Sequence, residues 1–108
     1  IVSTPTGSTC YAMSVGGPVI DPRMNAYVIA PMAPFKFATR PLVVPSTSKI
    51  RLEICRPKPC LCVIDGQHEH ALEGFEMTEF FQAERKSRYI RFERDFYDRL
   101  RAKLVCSP

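Results

Sequence analysis

The chain has 108 residues, 45% hydrophobic and 24% charged, which suits one globular domain and does not suggest disorder. Its longest apolar runs, such as Leu61-Cys62-Val63-Ile64, fall far short of the roughly 20 residues that cross a bilayer. The net charge of +4 is uneven: residues 82–108 hold eight basic and four acidic side chains, and residues 1–81 hold seven of each. Glu84, Glu93, Asp95 and Asp98 break up that basic field, which argues against a nucleic-acid surface and leaves it compatible with a nucleotide phosphate.

In chain order, STPTGSTCYAMSVGGP (Ser3 to Pro18) comes first. Ser8 or Thr9 is expected to cap a helix there and Gly16 to stop it near C′. Short strands are then expected at Ala26 to Ala30 and Pro41 to Val44, and at Ile50 to Ile54, where I-R-L-E-I alternates with a period of two. Leu61 to Ile64 should enter a hairpin through Asp65-Gly66, a pair suited to the positive φ angles of a type I′ turn. Met77 to Ala83 and Tyr89 to Phe92 continue the strand series. Asp95 should cap a closing helix over FYDRLRAKL, with Phe96, Leu100 and Leu104 on one face and a basic last turn. That helix is read as a packing element, placed against the sheet. Short strands at this spacing give a mostly β, antiparallel β-sandwich with a short helix near each end, a single domain over residues 1–108.

Five cysteines, an odd number, favour free thiols in a reducing cytosol over a disulfide framework. Cys55, Cys60 and Cys62 form C-x4-C-x-C with His68 and His70 nearby, but zinc sites pair two closer-spaced sets of ligands, so no metal is assigned here. No signal-peptide pattern is present, and the expected location is cytoplasmic.

The opening stretch carries the candidate chemistry. Helix N-termini expose unpaired N–H groups with partial positive charge, and Gly7 has no Cβ to block a phosphate or ribose from approaching them. Thr6, Ser8 and Thr9 add hydroxyls, and Tyr11 adds a flat face for a base. A plain turn and helix cap would use the same residues. The G-K-[ST] ending of a Walker A loop is absent.

STPTGSTCYAMSVGGPVIDP resembles the signature of NAD kinases, which runs S-T-P-T-G-S-T-A-Y and on to Gly-Gly-Pro. The resemblance continues through APMAPFKFATRPLVVP (Ala30 to Pro45), the DGQ hairpin at Asp65 to Gln67, and the closing FYDRLRAKL. Four motifs in the family's order cover nearly the whole chain. The resemblance implies the family's C-terminal β-sandwich domain. A separate N-terminal domain would then carry the Gly-Gly-Asp-Gly loop, whose Asp activates the adenosine ribose 2′-hydroxyl of NAD for phosphorylation by ATP or inorganic polyphosphate. This chain has no Gly-Gly-Asp-Gly, so no catalytic residue is expected within it and the isolated chain should be inactive. The divalent metal, expected to be Mg, and the donor ATP or polyphosphate would be bound mainly by the other domain.

Carried over position by position, the resemblance implies that Thr9, Cys10, Tyr11 and Ser14, matching T-A-Y-x-x-S, line the NAD pocket. Ala33 and Gln67 match positions near it. For Ala33 a small core filler, and for Gln67 an exposed hairpin residue, are the plain alternatives. Cys10 stands where the family usually has alanine, and Val-Cys-Ser-Pro closes the chain where an aromatic is common. Expected partners are NAD or NADP, ATP or polyphosphate, and further copies of the chain in a homo-oligomer, with neither nucleic acid nor membrane. A non-catalytic nucleotide-sensing or oligomerisation module is the alternative function. A lipid kinase relative fits the threonine-rich motif less closely.

Overall fold

The computed structural model describes residues 1–36, 39–92 and 95–105. The Phe37-Ala38 pair of the second motif and the closing Cys106-Ser107-Pro108 lie outside the described residues. The chain forms two compact units, one of Ile1–Thr47 with Ala83–Pro108 and one of Ser48–Gln82.

The first unit is organised around an antiparallel sheet of β1 (Val2–Ser3), β2 (Ala26–Ile29) and β3 (Leu42–Pro45), in the order β1-β2-β3. Val28 pairs with Ser3 on one side and Val43 on the other. Alternation along AYVIA sends Ala26, Val28 and Ala30 into the interior. There Val28 and Ala30 meet Ile20, with Ile1 and Val15 packed against the group. This core sits directly beneath the opening motif, which also contributes the buried Ala12 and Ser8.

The second unit holds two antiparallel ladders: β4 (Ile50–Glu53) with β7 (Met77–Phe80), and β5 (Cys60–Ile64) with β6 (His68–Leu72). Asp65 (φ 54°) and Gly66 (φ 65°) turn the hairpin, closed by the Gln67 N–H donating to the Ile64 carbonyl at 3.0 Å. Those two positive angles are what the Asp-Gly pair supplies to a type I′ turn. Cys62 is half-buried between exposed neighbours on β5.

Mostly β, antiparallel throughout, with a helical region near each end: the fold class agrees with the sequence, and three details differ. The opening helix is two pieces, a 3-10 turn at Thr6–Thr9 and α1 (Tyr11–Ser14), joined at Cys10. Neither Ser8 nor Thr9 caps α1, because Ser8 is turned into the core. Gly16 does stop it, at φ 87° and with its N–H on the Met13 carbonyl at 3.0 Å. Tyr89 to Phe92 is not a strand. β-branched and aromatic content favours a pleated surface but cannot replace a ladder partner, and Tyr89, Ile90 and Phe92 all stand exposed. Lastly, α2 (Phe96–Val105) begins as expected, Asp95 Oδ1 accepting the Phe96 N–H at 2.6 Å. Instead of resting on strand residues, its hydrogen bonds reach back to Asp21 and Thr9.

Candidate functional site

Local chemistry explains the shape of the opening motif. The Ser8 side chain is fully buried; its hydroxyl donates to the Pro5 carbonyl at 2.6 Å and accepts the Ile20 N–H at 2.9 Å. One side chain thus ties the turn before α1 to the strand-bound segment after it. Gly17 completes the clamp, its N–H reaching the Ala12 carbonyl at 2.8 Å where a Cβ would stand 2.7 Å from the same oxygen.

The amides ahead of α1 do not form an open anion cradle, contrary to the expectation from the hydroxyls and Gly7. The Gly7 N–H donates to Thr4 Oγ1 at 3.2 Å, the Ser8 N–H to Pro5 and the Cys10 N–H to Gly7. The Thr9 hydroxyl donates to the Thr6 carbonyl at 3.3 Å. A tight 3-10 turn consumes its own donors. What the motif presents outward is side chains: Cys10, Tyr11 (61% exposed) and Ser14 are all exposed, and Thr9 is half-buried. Tyr11 and Ser14 stand three residues apart on α1, a spacing that puts both on one face.

Of the other two predicted site residues, Ala33 belongs to the same unit and Gln67 to the second. Ala33 is exposed at φ 43°, so it is no core filler. An L-residue held in the left-handed region costs about 1–2 kcal/mol, and such strain concentrates at functional loops. Gln67 is an exposed residue of the β5–β6 turn.

Sequence reasoning missed how α2 bears on the motif. Lys103 Nζ donates to the Thr9 carbonyl, and the Tyr97 hydroxyl donates to Asp21 Oδ2 at 2.7 Å. Arg23 grips the same carboxylate through Nε and Nη2, at 3.0 and 2.7 Å. The Arg23 and Tyr97 bonds hold the Asp21 carboxyl far below the usual carboxylate range, and Asp21 pushes the Tyr97 phenol up. A carboxylate with a depressed folded pKa adds stability above its unfolded pKa, and that contribution is lost as pH falls. Tyr97→Phe should therefore lower stability at neutral pH and flatten the acid dependence below about pH 4. Urea unfolding across pH 2–7 checks this; a curve parallel to the parent's would refute it.

Residues 1–92 match the ATP-NAD kinase C-terminal domain family. The chain belongs to that family. It is 45% identical over 106 residues to the NAD kinase of Methanothermobacter thermautotrophicus, covering 97% of this chain and 38% of that protein. It is 38% identical to the bifunctional NADP phosphatase/NAD kinase of Methanocaldococcus jannaschii, over 93% of this chain and 17% of that one. The crystal structure of an NAD kinase from Archaeoglobus fulgidus in complex with ATP superposes with a TM-score of 0.68 at 35% identity, covering 77% of this chain and 31% of that one. Yeast NADH kinase complexed with NADH gives 0.69 at 31% identity, over 82% of this chain and 26% of that one. The chain thus spans less than two fifths of the NAD kinases it matches. No helix among the described residues is long and apolar enough to cross a membrane.

The donor set of the described residues does not suit a divalent cation. Among the described residues no three His, Cys, Asp or Glu side chains converge, and Cys10, Cys55, Cys60 and Cys62 are free thiols.

Proposed function

We propose that the chain is the dinucleotide-binding C-terminal domain of an NAD kinase, an enzyme that phosphorylates the adenosine ribose 2′-hydroxyl of NAD at the expense of ATP or polyphosphate. The observation that carries this reading is the two-sided opening motif. Ser8 and Ala12 are buried and fix its backbone, while Tyr11 and Ser14 face outward together. Tyr11 offers a ring to stack on a base or nicotinamide, and Ser14 offers a hydroxyl to a ribose or amide. Cys10 lies beside Tyr11 as a small polarisable contact, and Thr9 supports the wall from its half-buried position. Ala33, in the same unit, is assigned to the edge of that pocket, and Gln67, on the turn of the second unit, is assigned to NAD binding by its own side chain. The base that activates the ribose hydroxyl, the donor and its metal are assigned to parts of the enzyme outside these residues. The exposed apolar side chains of β5, Leu61 and Val63, would serve self-association, and the enzyme is placed in the cytoplasm.

Calorimetry of NAD binding to the full-length enzyme tests the site. Base–aromatic stacking contributes about 1–3 kcal/mol, so Tyr11→Ala should weaken NAD binding by about five- to 150-fold while Tyr11→Phe retains it. Ser14→Ala should cost a few-fold. Parental affinity in Tyr11→Ala would remove Tyr11 from the pocket.

A further inference from the structure

In the first unit, an open cavity of about 320 Å³ lies between the 3-10 turn of the opening motif and α2. Of the six residues assigned to NAD only Thr9 lines it. We propose that this cavity is a second ligand site, for a nucleoside phosphate whose phosphates meet Arg91, Arg99 and Lys103 and whose base lies against Tyr89 and Phe96. The proposal goes beyond the dinucleotide reading and does not depend on it.

Three observations carry it. Arg91, Arg99 and Lys103 all line the cavity, and none of its described lining residues is acidic. The two carboxylates of α2 and its cap, Asp98 and Asp95, are absent from that lining. Cations gathered around one concavity repel one another, and a bound anion relieves that repulsion. Secondly, neither the Arg91 nor the Arg99 side chain has an ion pair or hydrogen bond among the described residues. Their guanidinium forks are therefore available for the bidentate geometry that phosphate oxygens accept. Thirdly, the cations share the space with two flat rings, Tyr89 and Phe96, and with the aliphatic Ile90 and Leu100. Inorganic phosphate alone has no use for such surface, whereas a purine or pyrimidine buries against it. A volume of this size falls at the lower end of small-molecule sites. Here too the exposed segment that makes no strand gains a role: its Tyr89, Ile90 and Arg91 form one wall of the cavity.

Photolabelling of the full-length protein with 8-azido-ATP, followed by peptide mapping, tests the site. Label within residues 89–103 is expected, displaced by unlabelled ATP at least tenfold more effectively than by tripolyphosphate. Arg91→Gln/Arg99→Gln should reduce that label at least tenfold, and Arg91→Lys/Arg99→Lys should restore part of it. Thermal unfolding of each variant should match the parent, since both arginines are exposed. Label confined to other segments, or unchanged in the double glutamine variant, overturns the proposal. Tripolyphosphate as effective as ATP overturns its nucleoside part and assigns the cavity to a free polyphosphate. NAD affinity measured in parallel reports on the dinucleotide reading separately, because none of these variants alters Tyr11 or Ser14.

Discussion

Ser8→Ala is expected to destabilise the protein by about 1–3 kcal/mol, the cost of leaving the buried Ile20 N–H without its partner, while the Pro5 carbonyl keeps the Ser8 N–H at 3.1 Å. The serine hydroxyl serves the Pro5 carbonyl and the Ile20 N–H at once, and its side chain is fully buried, so water cannot replace it in an unchanged fold. The damage should not stay local. Ile20 is a member of the apolar core, and Thr9-Cys10-Tyr11 follow Ser8 directly. Denaturant unfolding reads the stability, and NAD calorimetry on the same variant should show weaker binding as the motif loosens. A loss below about 0.5 kcal/mol, the low end of the net value of one ordinary hydrogen bond, would mean that the Ile20 N–H finds another partner and that Ser8 is a filler.

Gly17→Ala should cost about 2–3 kcal/mol, within the usual range for overpacking. The added methyl would stand 2.7 Å from the Ala12 carbonyl oxygen and 3.2 Å from its carbon. Both are backbone atoms, so no rotamer change relieves the contact. α1 and the segment after it must separate, stretching the Gly17 to Ala12 hydrogen bond. Its neighbour is an internal control. A Cβ on Gly16 meets nothing within 4 Å, so Gly16→Ala pays only for its φ of 87°, about 1 kcal/mol. Equal losses at the two glycines would refute the close-approach account.

The strands and the hairpin were legible in the sequence because each rests on a local signal. I-R-L-E-I alternates, AYVIA is short and apolar, and Asp65-Gly66 is a turn pair whose φ angles can be inferred from residue type alone. Helix α2 was equally open to reading, from its Asp95 cap and the Phe96-Leu100-Leu104 spacing. Nothing in a one-dimensional pattern distinguishes a serine that caps a helix from one that reaches a core amide twelve positions on, and Ser8 proved to be the latter. Tyr89 to Phe92 had strand composition but no ladder to join. The family motif brought Thr9, Cys10, Tyr11 and Ser14 together on one short segment, where adjacency in the chain guarantees adjacency in space. It did not reveal the cations of residues 91–103 beside Thr6 and Thr9, because their meeting depends on long-range folding alone.

The bonds from α2 to Thr9 and Asp21 join residues 94 and 76 positions apart, and this has a consequence for the order of events during synthesis. The hairpin and ladders of Ser48–Gln82 close over short stretches of chain and can form as soon as that stretch emerges from the ribosome. The bonds of Lys103 to Thr9 and of Tyr97 to Asp21 must wait until α2 has been made, since non-local pairings form only after their loop-closure entropy has been met. A polypeptide released just before Phe96 would thus carry its ladders already paired while its opening motif still lacked the brace from α2.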